Sequence, residues 1–380
     1  MKPTFARLAS SAALDAQVRA WAAERPGAPI AVFAPMEFDL PARAAAWREL
    51  PAPVWGGSSC GVIYAENETD DPVRDHAAVA VQFRAPGAPP VCGFWTRRDG
   101  DSRALGERIG QWAAARAARP ALLLLTSGLD TNGDELLAGI ERGAGAPLPV
   151  FGAMAGDDAQ FRQTLVFTNG QCAATGATAL VWDREQCEWA GMTASGWTGI
   201  GVSKCVTRAD GNRVYEIDGE PALDVYLKYL SITESDLPHM GIEYPLQVTG
   251  PDARPTLRAV IDLDREARAL IFTGTVPTGA QVRFATAPGF ETVDHTGAAI
   301  AAFAAGAPRA DLLLLFVCIA RRLALGPMVA DEIRAAARQW KQPVAGFFAY
   351  GEFGCADVRP EFSNEMYALA LCRFAGGGTP

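Results

Sequence analysis

The chain has 380 residues, with 34 Lys plus Arg against 43 Asp plus Glu for a formal charge of −9, and 49% of it is hydrophobic. That length and apolar share imply a large core and about two to three domains of roughly 150 residues, and they exclude a globally disordered chain. The acidic balance lacks the clustered Lys and Arg that phosphate neutralisation needs, so nucleic acid is not an expected partner. Leu312 to Ala320 is the longest apolar run at nine residues, about half of what a membrane-spanning helix needs. Asp15, Gln17 and Arg19 interrupt what would be the apolar stretch of a signal peptide. A cytoplasmic location and no membrane partner are expected. None of the eight Cys forms a CxxC pair, and Cys60, Cys318 and Cys372 lie in hydrophobic runs, where a reduced thiol acts as a small apolar residue.

In chain order, Ile30 to Phe33 reads as a strand, Ala42 to Glu49 as a helix and Pro53-Val54-Trp55-Gly56 as a second strand, before a Gly/Ser turn and the strand Ala77 to Phe83. Ala121 to Leu125 (ALLLL) opens the same series, followed by a helical stretch, Pro149-Val150-Phe151-Gly152, a turn bearing glycine and acids, and a strand ending at Trp182. Ser203 to Asp218 then reads as a hairpin turning at Asp210-Gly211-Asn212, and Pro221 starts a helix through Leu230. Leu257 to Leu263 and Ala269 to Gly274 form a second hairpin candidate, Gln281 to Thr286 a strand, and Phe290 to Ala305 a helix. Asp311 to Leu315 (DLLLL) opens the series a third time: a helix over Pro327 to Trp340, Pro343-Val344-Ala345-Gly346, another Gly/acid turn, and Met366 to Cys372. Ala85 to Pro90 and Thr249 to Pro255 read as loops, and Gly376 to Pro380 as a frayed tail. The LLLL runs lack polar alternation, which implies strands buried on both faces, and a strand–helix–strand crossover makes its two strands parallel. The expected fold is a layered α/β architecture with mixed sheets built from repeated strand–helix–strand–loop–strand units.

Several stretches together resemble the FIST family. They are Gly56-Gly57-Ser58-Ser59-Cys60-Gly61, VFGAMAGDD (Val150 to Asp158) with QTLVFTNG (Gln163 to Gly170), VYEIDGEPALDVY (Val214 to Tyr226), FVCIARR (Phe316 to Arg322), GFFAYGEFG (Gly346 to Gly354) and FSNE (Phe362 to Glu365). The resemblance implies an N-terminal FIST domain over 28–220 and a C-terminal FIST domain over 221–374. It also implies a small-ligand-binding sensory protein in signal transduction, with an amino acid as the suggested ligand and a separate partner such as a histidine kinase. Some members are haem-containing nitric oxide sensors, so haem is the cofactor the resemblance leaves open. Trp197 and Thr198 stand where many relatives carry a Cys-Arg-Pro turn, so a ligand preference tied to that turn is not carried over.

The three glycine turns are the candidate site. Gly57-Ser58-Ser59-Cys60-Gly61 satisfies G-x-S-x-G, but a nucleophile elbow needs a helix after the turn, and Val62-Ile63-Tyr64 is β-prone. A hydrolase using Ser59, or acyl transfer through Cys60, is thus an alternative reading, against a ligand-contacting or structural turn. Asp157 and Asp158 after Gly156, and Glu352 after Tyr350-Gly351, place acids where they suit an ammonium group, while turn amides suit a carboxylate; the same Asp residues equally suit a turn cap. Arg321 follows the buried run at a strand end, where ligands of open parallel sheets bind, and is a candidate carboxylate clamp or a structural ion pair. His239, beside a proline loop, is the candidate axial ligand if haem binds. The spacing of His, Cys, Asp and Glu matches no protein-ligated metal motif.

Overall fold

In the computed structural model, which describes residues 3–84, 89–97, 101–237, 239–250, 255–356 and 358–374, the chain forms three similar α/β units, the third interrupted by a separate sheet. Residues 85–88 and 251–254 of the two expected loops, and the expected frayed tail, lie outside the described residues.

The first unit is β1 (Thr4–Leu8), α1 (Ser11–Glu24), β2 (Ile30–Ala34), α2 (Leu40–Ala46), β3 (Val54–Ser58), β4 (Val62–Ala65), β5 (Val73–Arg74) and β6 (Ala78–Gln82). The second is β7 (Val91–Thr96), α3 (Ser102–Ala114), β8 (Pro120–Thr126), α4 (Gly133–Ala144), β9 (Val150–Met154), β10 (Val166–Thr168), β11 (Gln171–Ala173) and β12 (Gly176–Asp183). The third opens with β13 (Cys187–Ala194). It then admits an insertion of β14 (Thr198–Asp210), β15 (Arg213–Ile217), β16 (Glu220–Pro221), α5 (Ala222–Leu230), α6 (His239–Glu243), β17 (Leu246–Thr249), β18 (Thr256–Arg258), β19 (Val260–Asp264), β20 (Ala269–Phe272) and β21 (Gln281–Thr286). The unit resumes with α7 (Phe290–Gly306), β22 (Leu312–Cys318), α8 (Ile319–Leu325), α9 (Val329–Trp340), β23 (Val344–Ala349), β24 (Glu352–Gly354), β25 (Glu361–Ser363) and β26 (Tyr367–Phe374).

Among the described residues these strands make four sheets. Three have one corresponding order: β1-β6-β2-β3-β10-β11, β7-β12-β8-β9-β24-β25 and β13-β26-β22-β23-β4-β5. In each, the two strands flanking the crossover helix are parallel: β2 with β3, β8 with β9 and β22 with β23. The last two strands of each sheet, however, come from another unit. The first unit lends β4 and β5 to the third, the second lends β10 and β11 to the first, and the third lends β24 and β25 to the second. The units therefore close a cycle in which none completes its own sheet.

Burial on both faces explains the LLLL runs. Leu123 and Leu125 face the inner core, while Leu122 and Leu124 lie under helices α3 and α4. The three inner faces meet through aromatic pairs: Phe33 lies 4.9 Å from Phe347, Phe83 lies 5.5 Å from Trp182, and Phe151 lies 6.0 Å from Trp189. Such rings add roughly 0.5–1.5 kcal/mol per pair beyond their burial. The inserted strands form their own sheet, β18-β17-β21-β14-β15-β20-β19 with β16 beside β15, over a separate core that includes Val214, Tyr226 and Phe272. Both expected hairpins are present, β14 with β15 and β19 with β20, although Leu257 belongs to the separate strand β18. The helix expected over Pro327 to Trp340 begins as a 3₁₀ turn at Gly326–Met328 before α9. Two cysteines differ from the reduced-core reading: Cys372 of β26 is disulfide-bonded to Cys187 of the neighbouring antiparallel strand β13, their Cα atoms 6.6 Å apart, within bonding reach.

The repeated glycine of Pro-Val-x-Gly has one physical cause. Gly56, Gly152 and Gly346 each lie opposite a residue of the first parallel strand, and an added Cβ would meet Val32 O at 2.1 Å, Leu124 O at 1.8 Å and Leu315 O at 1.8 Å. Gly346→Ala therefore forces the two parallel strands apart; a loss of about 3 kcal/mol in denaturant unfolding is expected from overpacking of this kind, and an unchanged midpoint would refute the close approach.

Candidate functional site

The three glycine turns meet because each leaves its own sheet to enter the next. Gly156 N donates to Ser58 O at 3.0 Å, Cys60 N to Phe348 O at 2.8 Å, and Met154 N to Gly351 O at 2.8 Å, so the turns are linked in the same cyclic sense as the strands. The junction thus brings together Gly57, Ser58, Ser59, Cys60, Gly156, Asp157, Tyr350, Gly351 and Glu352, drawn from all three units. It lies beyond the carboxyl ends of the parallel pairs, the place where open α/β sheets bind ligands.

Most polar groups there serve the junction itself. Ser58 Oγ accepts the Leu165 amide at 2.8 Å. Asp157 is buried and accepts the backbone amides of Phe161, Arg162 and Gln163 at 3.1, 2.7 and 2.9 Å, and the Tyr350 hydroxyl as well. It is a turn cap whose acceptors are in use, the alternative weighed for an Asp at that position. Asp158 is exposed, with a left-handed φ of 56°, and shares its electrostatic surroundings with Arg322, Asp75 and Glu37. Cys60 lies so close over Gly156 that a Cβ there would meet its Sγ at 2.3 Å, and burial pushes the thiol up to about 12. Such a thiol is not a thiolate nucleophile at neutral pH. The Ser59 turn joins strand β3 to strand β4, not a strand to a helix, so it lacks the elbow geometry that an acyl-transfer serine needs.

Two buried oxygens at the junction have no protein partner: Ser59 Oγ and Glu352 Oε1. The other carboxylate oxygen of Glu352 accepts the Met366 amide at 3.3 Å. Close to it stands a second fully buried acid, Glu365, which leads into β26 and has neither carboxylate oxygen hydrogen-bonded. Burial raises both carboxyls well above the ordinary range; the two raise Glu352 further by repulsion, while Arg321 opposes for both and Arg258 for Glu365.

Arg321 is placed differently from a ligand clamp. Its side chain is completely buried and turned into the protein, where it pairs with the equally buried Glu332 of α9 through Nε, at 3.0 Å, and Nη2. The remaining N–H groups reach Thr296 Oγ1 at 2.8 Å, Glu365 O at 2.9 Å and Ser195 O at 2.5 Å, and the guanidinium lies 5.1 Å from the Trp197 ring. All five donors are engaged, so Arg321 supports the site as a structural ion pair. Arg258 is likewise committed to Asp134, at 3.0 and 2.9 Å, and to backbone carbonyls. Sequence reasoning missed Glu365 and Glu332. The available signal for Glu365 was an acid standing directly before the uninterrupted apolar run of β26.

The candidate haem ligand lies at the protein surface. His239 is exposed on the single-turn helix α6, its ring edge-on to Phe161 at 5.5 Å, and Phe161 is itself stacked on Tyr350 at 5.1 Å. No group of three or more His, Cys, Asp or Glu among the described residues has metal-holding geometry, and no helix among them is long and apolar enough to cross a membrane.

Comparison with known families matches residues 30–220 to the FIST N domain and residues 222–355 to the FIST C domain. No curated protein matches the chain. The boundary between the two matched segments falls inside the inserted sheet, beside β16.

Three outcomes follow from this geometry. Arg321→Ala leaves Glu332 buried without its partner and is expected to cost about 3–5 kcal/mol in chemical denaturation. Cys60 is expected to resist alkylation at pH 8 in the folded chain and to react fully once unfolded, read by mass spectrometry. Because Glu352 and Glu365 have raised folded values, their stabilising neutral forms are fully present below the ordinary carboxyl range and are lost as pH rises through the raised values. Glu365→Gln should therefore gain stability relative to the parent as pH rises from 5 to 8; an offset that does not change with pH would contradict the assignment.

Proposed function

Because the chain belongs to the FIST family, we propose that it is a sensory protein that binds an amino acid and signals through a separate partner protein. FIST domains are associated with small-ligand sensing in signal transduction. The observation that carries the reading for this chain is the pair of buried, unpartnered oxygens, Ser59 Oγ and Glu352 Oε1, at a junction built from all three units. Buried polar atoms are almost always hydrogen-bonded, and a bound small molecule would supply partners to both.

A ligand that bridges units held in a closed cycle changes the free energy of their relative arrangement, and a partner such as a histidine kinase reads that change. The test is thermal unfolding against a panel of free amino acids, the matching carboxylic acids without the amine, and haem. A selective rise of about 2 °C or more with an amino acid, weakened in Glu352→Gln but kept in Asp158→Asn, is expected. A panel in which no amino acid shifts the midpoint would overturn the ligand assignment.

A further inference from the structure

Around the third unit's strand ends two buried acids are held neutral, and neither Arg321 nor Arg258 is free to pair with them. Cys318 at the end of β22, Arg321 of α8, Arg258 of β18 and Tyr226 of α5 are the titratable or charged groups that act on Glu352 and Glu365. Of these, Arg321 is already matched by Glu332 and Arg258 by Asp134, and neither arginine gives a hydrogen bond to the carboxyl of Glu352 or Glu365. Two acids with no side-chain exposure are therefore left without a cation of their own. Glu352 Oε1 and both carboxylate oxygens of Glu365 have no backbone, nitrogen or oxygen donor among the described residues, the Cys318 thiol being the one side-chain donor to the Glu352 carboxyl. A protonated primary amine has three N–H donors and one positive charge, so it supplies in one group what these atoms lack. A hard metal ion is a poorer match, since the described residues around the pair contain no third ligand in metal-holding geometry.

We infer that Glu352 and Glu365 form a closed binding site for a protonated primary amine, walled on one side by the inserted domain. The inference rests on the ligand-binding reading above and adds to it the chemical class of the group recognised and the residue, Glu365, that completes its site. The wall follows from the neighbours of Glu365. Tyr226 and Arg258 both belong to the insertion, and the adjoining Asn364 amide donates to Leu257 O at 3.2 Å while its side-chain oxygen accepts the Ala259 amide at 3.0 Å. The insertion meets the three-unit body through further polar contacts, Asp134 with the Thr275 amide at 2.7 Å and Gly133 N with Thr273 O at 3.1 Å, and through buried Ile242, Leu257 and Ala285. The chain enters and leaves the insertion at Gly196 and Gly289, at positive φ of 83° and 64°.

Methylammonium and tetramethylammonium chloride separate this site from a general salt effect, because they carry the same charge but only the first has N–H donors. Methylammonium is expected to raise the thermal midpoint by about 2 °C at saturation, with no rise from tetramethylammonium, and the difference should vanish in Glu365→Gln and in Glu352→Gln. Calorimetric titration of methylammonium in two buffers of different ionisation enthalpy should report proton release in the parent and none in either variant, a readout independent of variant stability. Equal responses to the two cations, or a methylammonium response retained in both variants, would overturn the site. An amino acid that stabilises the parent and both Gln variants alike would remove this site and leave the sensory reading standing. A methylammonium response in a protein that no amino acid stabilises would do the reverse.

Discussion

The three glycine turns at the junction are bound by the same constraint: the chain must cross from the sheet that it has just built into a sheet owned by another unit. The crossing occurs directly after a parallel pair held so closely that Gly56, Gly152 and Gly346 have no room for a side chain. Strands β4, β10 and β24 then add to β23, β3 and β9, respectively. Removing any one exchange opens an edge in a second unit and leaves its hairpin in the first unpaired. The junction is rigid for that reason, and its polar atoms divide between those that hold the crossing, such as Asp157 and Ser58, and those left open, such as Ser59 Oγ and Glu352 Oε1.

Two pairs of buried charges near the third unit show opposite solutions to desolvation. Arg321 and Glu332 neutralise each other, and Ser195, Thr296 and the Glu365 carbonyl absorb every remaining donor, as a buried ion pair requires. Glu352 and Glu365 repel each other and are held neutral by burial. The first arrangement fixes the base of α8 against α9 and the Trp197 ring. The second stores an unmet demand for hydrogen-bond donors immediately beside it, so a rigid, satisfied pair supports a poised, unsatisfied one.

Much of the fold was legible because its strands are chemically extreme. Four consecutive leucines bounded by Pro or Asp can only be a strand covered on both sides, and the recurrence of Pro-Val-x-Gly marked the second strand of each unit. The exchange of hairpins was not legible, because Val62 pairs with Phe347 and Val166 with Gly57 through alternation patterns that fit a partner in their own unit equally well. For the site, the sequence set Arg321 just past a buried strand and Glu352 in a turn, and the structure places Arg321 within α8 and Glu352 at the start of β24. Spacing could not tell which way a long side chain turns, and Arg321 turns inward because Glu332, eleven residues on, sits on the buried face of α9. Glu365 escaped notice because burial of an acid depends on what the fold lays over it.

The closed exchange also has a consequence for synthesis on the ribosome. Strand β4 is made early but finds its neighbour β23 only when nearly the whole chain has emerged, and β9 likewise waits for β24. Long-range pairing of this kind slows folding, because loop closure must precede the contacts that reward it. Until the third unit arrives, the first presents the apolar β4 edge to its surroundings, an invitation to intermolecular pairing. The nascent chain is therefore a natural client for a chaperone that shields strand edges, and its yield will depend on translation and shielding keeping pace.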